Sequence, residues 1–163
     1  MMSFSHGGST ATCGQNQRAR EVRRLANDLL GFYGLQDWTL TFNRRKTEMG
    51  QCLYGPKCIG LSLYFIALNS DEAVRETLLH EIAHALVGPG HGHDAFWKRQ
   101  CLRIGAKPER LCYGVSMPEG RWCAQCGFCG LVHYKHRKPK HMVGWFCSRC
   151  GRDRGRLTWK CAG

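Results

Sequence analysis

The segment LLHEIAHALVGPGHGHDAFWK, residues 78–98, constrains the fold more than any other part of the chain. Its apolar helical pattern stops at Gly88-Pro89-Gly90, because proline cannot continue a helix and glycine accepts the left-handed turn that closes one. Upstream, Asn69, Ser70 and Asp71 are N-cap types, and Glu72 follows Asn69 at capping-box spacing. The spacing predicts one helix from about 71 to 87. On it His80 and His84 are four residues apart, so their imidazoles leave one face and can share an ion. Glu81 stands beside the pair, where a carboxylate serves as general base for an attacking water rather than as a ligand. Leu78, Leu79, Ile82, Ala83, Ala85, Leu86 and Val87 supply apolar cover.

A catalytic zinc takes three protein ligands and keeps one position open. The metzincin arrangement places the third histidine six residues after the second, and that position is Gly90. The pattern is excluded, which leaves His91 and His93 as candidates. Asp94 follows, either as the N-cap of a further helix over 94–104 or as a carboxylate holding a ligand imidazole.

The remaining elements are shorter. Ala19, Val22, Leu25, Ala26, Leu29 and Leu30 recur at helical spacing within 17–33, with arginines opposite and Gly34 as the stop. WTLTFN (38–43) alternates as a half-buried strand does, and GQCLYG and KCIGLSLYFIA supply one or two more strands about Gly55-Pro56. The order predicts an α+β core with a small appended module. The boundaries are a disordered polar lead-in at 1–14, a core at 15–118 and a basic cysteine-rich module at 119–163.

No signal-type apolar segment and no run near the roughly 20 residues of a membrane span is present. The expectation is a cytoplasmic protein, nucleoid-associated if bacterial, monomeric and without a membrane partner. The eleven cysteines then call for metal rather than disulfides. WCAQCGFCG and FCSRCG are two C-x-x-C knuckles about twenty residues apart, the spacing of a four-cysteine zinc ribbon. Cys147 and Cys150 form the second knuckle, while Cys123, Cys126 and Cys129 offer two overlapping versions of the first. A 45-residue tail with few apolar residues needs such a metal to fold.

Charge is uneven. Residues 119–163 carry ten Lys/Arg against Glu119 and Asp153, a net of +8 out of the chain's +12. Between the knuckles Lys135, Arg137, Lys138 and Lys140 interleave with aromatic residues including Trp145, and Arg149 begins a second basic cluster. Basic residues among aromatics can track a phosphate backbone and stack on exposed bases, with binding that depends on salt more than on sequence.

HEIAHALVG, a glycine-rich loop and GHDAFWK together resemble the SprT-like zinc metalloprotease family, to which Spartan belongs. The resemblance implies that the third ligand is the histidine of a G-H-x-x-x-[FW] segment, here Gly92-His93-Asp94-Ala95-Phe96-Trp97, so it selects His93 and sets Trp97 one helical turn on, under the site. It also selects Cys126 and Cys129 for the first knuckle of the zinc ribbon. It implies a compact zincin-like core of helices and a three-stranded sheet, with one catalytic and one structural Zn2+. An edge strand from KCIGLSL would pair with an extended peptide. The implied activity is endoproteolysis of proteins bound or crosslinked to DNA, single-stranded or distorted. The alternative is a nucleic-acid-binding protein whose zinc sites are both structural.

Overall fold

Helix α1 (Thr10–Phe32) opens a computed structural model that describes residues 10–109 and 114–162. The chain divides into two units, 1–117 and 118–163. In the first, α1 is followed by strands β1 (Thr39–Asn43), β2 (Gly50–Leu53) and β3 (Cys58–Ser62), then by helices α2 (Leu63–Leu68), α3 (Asp71–Val87) and α4 (Ala95–Arg103). The stripe on α1 buries Val22, Ala26, Leu29 and Leu30 as its periodicity requires. The helix starts earlier than that stripe, at Thr10, so the disordered lead-in over 1–14 is corrected for residues 10–14. Its first turns carry no apolar pattern, which is why periodicity misses them. The rest of the lead-in, and Cys112, lie outside the described residues.

The sheet has the order β1-β3-β2, with β1 parallel and β2 antiparallel to β3. Every residue of β3 is buried, and Ile59 and Leu61 are 0% exposed. Burying such side chains stabilises the unit by about 1.5–3 kcal/mol each. The strand ends at Ser62, whose hydroxyl caps α2 by accepting from the Phe65 N–H. LYFIA is therefore helical rather than a strand continuation: once Ser62 caps, Phe65 and Ile66 reach the core from a helical turn.

Helix α3 packs Val74, Leu78, Leu79, Ile82 and Ala83 into the same core. Its N-cap is Ser70, accepting from the Ala73 N–H at 3.3 Å, so the Asn69–Glu72 capping box does not form. Asn69 is engaged elsewhere. Its amide donates to the carbonyls of Phe65 (2.8 Å) and Ser116 (2.7 Å), and its Oδ1 accepts from the Ser116 N–H at 2.7 Å. Arg18 ties α1 to the α2–α3 junction through the carbonyls of Ile66 and Asn69 and an ion pair with Asp71. At its other end α3 stops at Gly88, with φ +81 and an N–H donating to the His84 carbonyl at 3.0 Å.

The second unit is β-rich. Strands β4 (Trp122–Gln125), β5 (Val132–Lys135) and β8 (Lys160–Cys161) form a sheet in the order β5-β4-β8. Strands β6 (Trp145–Cys147) and β7 (Gly155–Leu157) pair antiparallel around the short helix α5 (Gly151–Arg154). Its buried core is small: Ala124, Cys126, Cys147, Leu157 and Trp159. Among the described residues no helix is long and apolar enough to cross a membrane.

Candidate metal centre and cleft

Long side chains on a helix lean back toward its N-terminus, so residues four apart stack on one face. His80 and His84 do so on α3, with ring centroids 5.1 Å apart. The Gly88–Gly92 loop then returns His93 to the same place. Its Nε2 lies 3.1 Å from that of His80 and 3.4 Å from that of His84. A tetrahedral ion with Zn–N distances near 2.05 Å separates its donors by about 3.3 Å, so the three nitrogens fit such an ion.

Trp97 is 0% exposed and lies against all three rings, at centroid distances of 4.7, 5.2 and 4.6 Å from His80, His84 and His93. Asp94 is the N-cap of α4, accepting from the Trp97 N–H at 2.9 Å. Its second oxygen lies 2.7 Å from His91 Nδ1. Asp94 thus caps α4 and orients His91, which borders the cleft outside the three-histidine cluster.

Electrostatics suit the donor set. Burial, then the neighbouring imidazoles, push His80 and His84 down to about 4, so both rings are neutral with lone pairs to give at neutral pH. A hydrogen bond from the His84 ring to the His91 backbone opposes part of that shift. Glu81, 7% exposed, is pushed up to about 8, chiefly by burial and secondarily by Glu48.

The histidines and Glu81 line one side of an open cleft of about 480 Å³. The other side is β2 and the residues flanking it, with Glu48, Gly50, Cys52 and Tyr54. The Tyr54 hydroxyl donates to the His84 carbonyl at 3.1 Å, joining this wall to the helix end. Burial raises both Cys52 and Tyr54 to about 12, so they stay protonated. The edge strand beside the cleft is thus β2, from GQCLYG. KCIGLSL forms the central strand β3, because its unbroken apolar run demands cover on both faces. Sequence reasoning singled out none of the strand-side residues. Their one signal was the alternation of Gly50, Cys52 and Tyr54.

In the second unit Cys126, Cys129, Cys147 and Cys150 bring their sulfurs within 4.8 Å of one another. Cys129 and Cys147 are 3.7 Å apart, against about 3.8 Å across a tetrahedral Zn–S4 site. Backbone N–H groups of Cys129 and Phe128 pull the Cys126 thiol down to about 7, while a side-chain hydrogen bond with Cys129 pushes Cys150 up to about 12. Cys123 pairs with Tyr134 in the β4–β5 ladder, outside the cluster.

Of the basic residues, Lys135 sits on β5 with its ammonium 3.0 Å from the Trp145 ring centre and 5.0 Å from that of Trp159. Lys138 lies over Trp122 at 5.7 Å. Arg137, Lys140 and Arg149 are exposed, and Trp145 is 37% exposed.

An α+β core carrying three convergent imidazoles beside a buried carboxylate is of the metalloprotease class. The family model described as SprT-like matches residues 19–117, and the chain belongs to that family. No curated protein matches it. Among solved structures it is similar to the metallopeptidase zymogen jannalysin of Methanocaldococcus jannaschii, at 14% identity and a TM-score of 0.45, over 50% of this chain and 79% of that one. Family membership supports zinc-dependent protease activity, with the histidine and cysteine clusters as candidate zinc sites.

Proposed function

We propose that this chain is a zinc-dependent endopeptidase acting on proteins bound or crosslinked to DNA. His80, His84 and His93 hold a catalytic ion, and Cys126, Cys129, Cys147 and Cys150 a structural one. The observation that carries the reading is the convergence of three imidazoles and the buried Glu81 on one open cleft. Bound zinc supplies Lewis acidity toward the attacking water and the peptide carbonyl. Glu81 takes the proton from that water at a carboxylate oxygen and delivers it to the departing amine nitrogen. Trp97 and the Asp94 cap hold the histidines in register, and the cleft admits an extended segment beside β2.

The second unit recruits DNA. Support comes from its net +8 charge and from lysines seated on indole rings, an arrangement suited to stacking and phosphate contact without base-edge readout. The test is cleavage of a DNA-binding protein by the zinc-loaded chain, with and without single-stranded DNA, across a salt series. Expected is cleavage that needs DNA and fades as salt rises. DNA-independent cleavage removes the recruiting role. Absence of cleavage in every condition favours the non-catalytic nucleic-acid-binding alternative. Glu81→Gln is expected to keep zinc and lose proteolysis.

A further inference from the structure

Gly50 opens the edge strand β2 opposite buried Leu61 of β3, so both residues face the side of the sheet against α3. There the backbone of Gly50 meets the side chain of Glu81. A Cβ at position 50 would stand 3.0 Å from Glu81 Oε1, 3.1 Å from Glu81 Cγ and 3.1 Å from Thr77 Cγ2. Relaxed contacts between carbon atoms lie at about 3.5–4.0 Å, so one methyl group is too close to atoms on two residues at once. Gly50 is not among the glycines with positive φ, so its backbone accepts alanine. The demand for glycine comes from the carboxylate across the gap.

Glu81 has little room to yield. It is 7% exposed, its neighbour in sequence is His80, and Thr77 stands one helical turn before it on the same face. Thr77 is itself buried, 2% exposed, so a carboxylate pushed from the strand side cannot retreat along the helix. Its free direction is the open cleft, out of line with the attacking water.

We propose that Gly50 is a positioning residue for the general base: its missing side chain forms the slot, walled by Thr77, in which the Glu81 carboxylate is held. The proposal rests on the reading of Glu81 as base. Position 50 thereby couples the edge strand to the chemistry, because any side chain there displaces the carboxylate or parts β2 from α3.

The experiment uses the full zinc-loaded chain and an unstructured protein substrate, with helical circular dichroism and zinc content measured on each variant. Gly50→Ala is expected to fold, keep wild-type zinc and lower kcat by about 3–10-fold, less than the roughly 10²-fold of a 1 Å misplacement, because contacts of 3.0–3.1 Å ask the carboxylate to give by only a few tenths of an ångström, with KM unchanged. In the Glu81→Asp background, where the shorter carboxylate leaves the slot, the same substitution costs little, a non-additivity that a general loss of stability does not produce. Should Gly50→Ala fail to fold, Gly50→Ala with Thr77→Ser removes the methyl at 3.1 Å and is expected to fold with low kcat. A double variant that stays unfolded overturns the proposal, since the crowding then lies outside the slot. Wild-type kcat in Gly50→Ala, or equal losses in both Glu81 backgrounds, also overturns it. Wild-type proteolysis by Glu81→Gln instead sinks the base assignment, a separate failure read in a separate variant.

Discussion

Truncating Trp97 to alanine tests whether the three histidines share one floor. The indole is fully buried, and a buried tryptophan removes about 150–250 Å² from water. At about 25 cal/mol per Å² that is worth roughly 4–6 kcal/mol. Alanine keeps part of the contact, which brings the loss to about 3–5 kcal/mol. One effect opposes it: Trp97 Nε1 has no hydrogen-bond partner among the described residues, and an unpaired buried donor costs about 1–3 kcal/mol. Taking the middle of each range, the net expectation is a loss of about 2 kcal/mol, still a sizeable share of the roughly 5–15 kcal/mol by which a domain is stable. Urea denaturation followed by helical circular dichroism reads this, because α1–α4 all lie in the first unit. Trp97→Phe keeps a ring under the imidazoles and discards the orphan N–H, so it should cost well under half as much. Metal affinity is the second readout. With the floor gone, the zinc concentration for half-maximal proteolysis in chelator-buffered solution should rise about 10–100-fold, as when support of ligand histidines is lost. An alanine variant with wild-type denaturation midpoint and zinc requirement would refute the reasoning.

Other outcomes follow from neighbouring features. Asp94→Ala removes both the α4 cap and the His91 partner, and should cost about 1 kcal/mol in a thermal melt, while Asp94→Ser, which can still cap, should recover most of it. In the metal-free protein, His80 and His84 are depressed to about 4 from 6.5. Their stabilisation is complete above about pH 6.5 and is lost as pH falls toward 4. Glu81, raised from 4.5 to about 8, acts oppositely: its contribution is complete below 4.5 and is lost as pH climbs to 8. The Glu81→Gln apoprotein should therefore gain stability more steeply between pH 4.5 and 6.5 than wild type and stay level above it, measured by denaturation at stepped pH. Chelation should unfold the second unit, whose five-residue buried core includes two of the four cysteines, and expose Trp159 to solvent. The helical signal of residues 1–117 should persist, and Cys147→Ser should mimic the effect with zinc present.

Helices α1, α3 and α4 were legible because their signals are local. The α3 stop at Gly88 and the α1 stripe follow from spacing along the chain, whereas the pairing of His93 with Trp97 came from the family resemblance. Three features depended on partners distant in sequence. Asn69 has the composition of a cap, yet Ser116 claims its side chain, and no pattern near residue 69 shows that partner. KCIGLSL is apolar enough for any strand position. Its central place was decided by β1 and β2 arriving on its two sides, and α2 by the hydroxyl of Ser62. The strand-side wall of the cleft was invisible for the same reason: Gly50 has meaning only once Glu81 faces it. Metal ligands announce themselves by type, whereas the residues that leave room for them do not.

The Asn69–Ser116 clasp bears on how mechanical load enters the catalytic unit. A pull on the chain beyond residue 117 meets two hydrogen bonds of 2.7 Å, loaded side by side on one amide. Bonds sheared together resist more than bonds opened in turn. The anchor lies at the N-terminal end of α3, about 15 Å from His80 at 1.5 Å per residue. The clasp thus ties residue 116 to the α2–α3 junction, at the end of α3 away from its histidines.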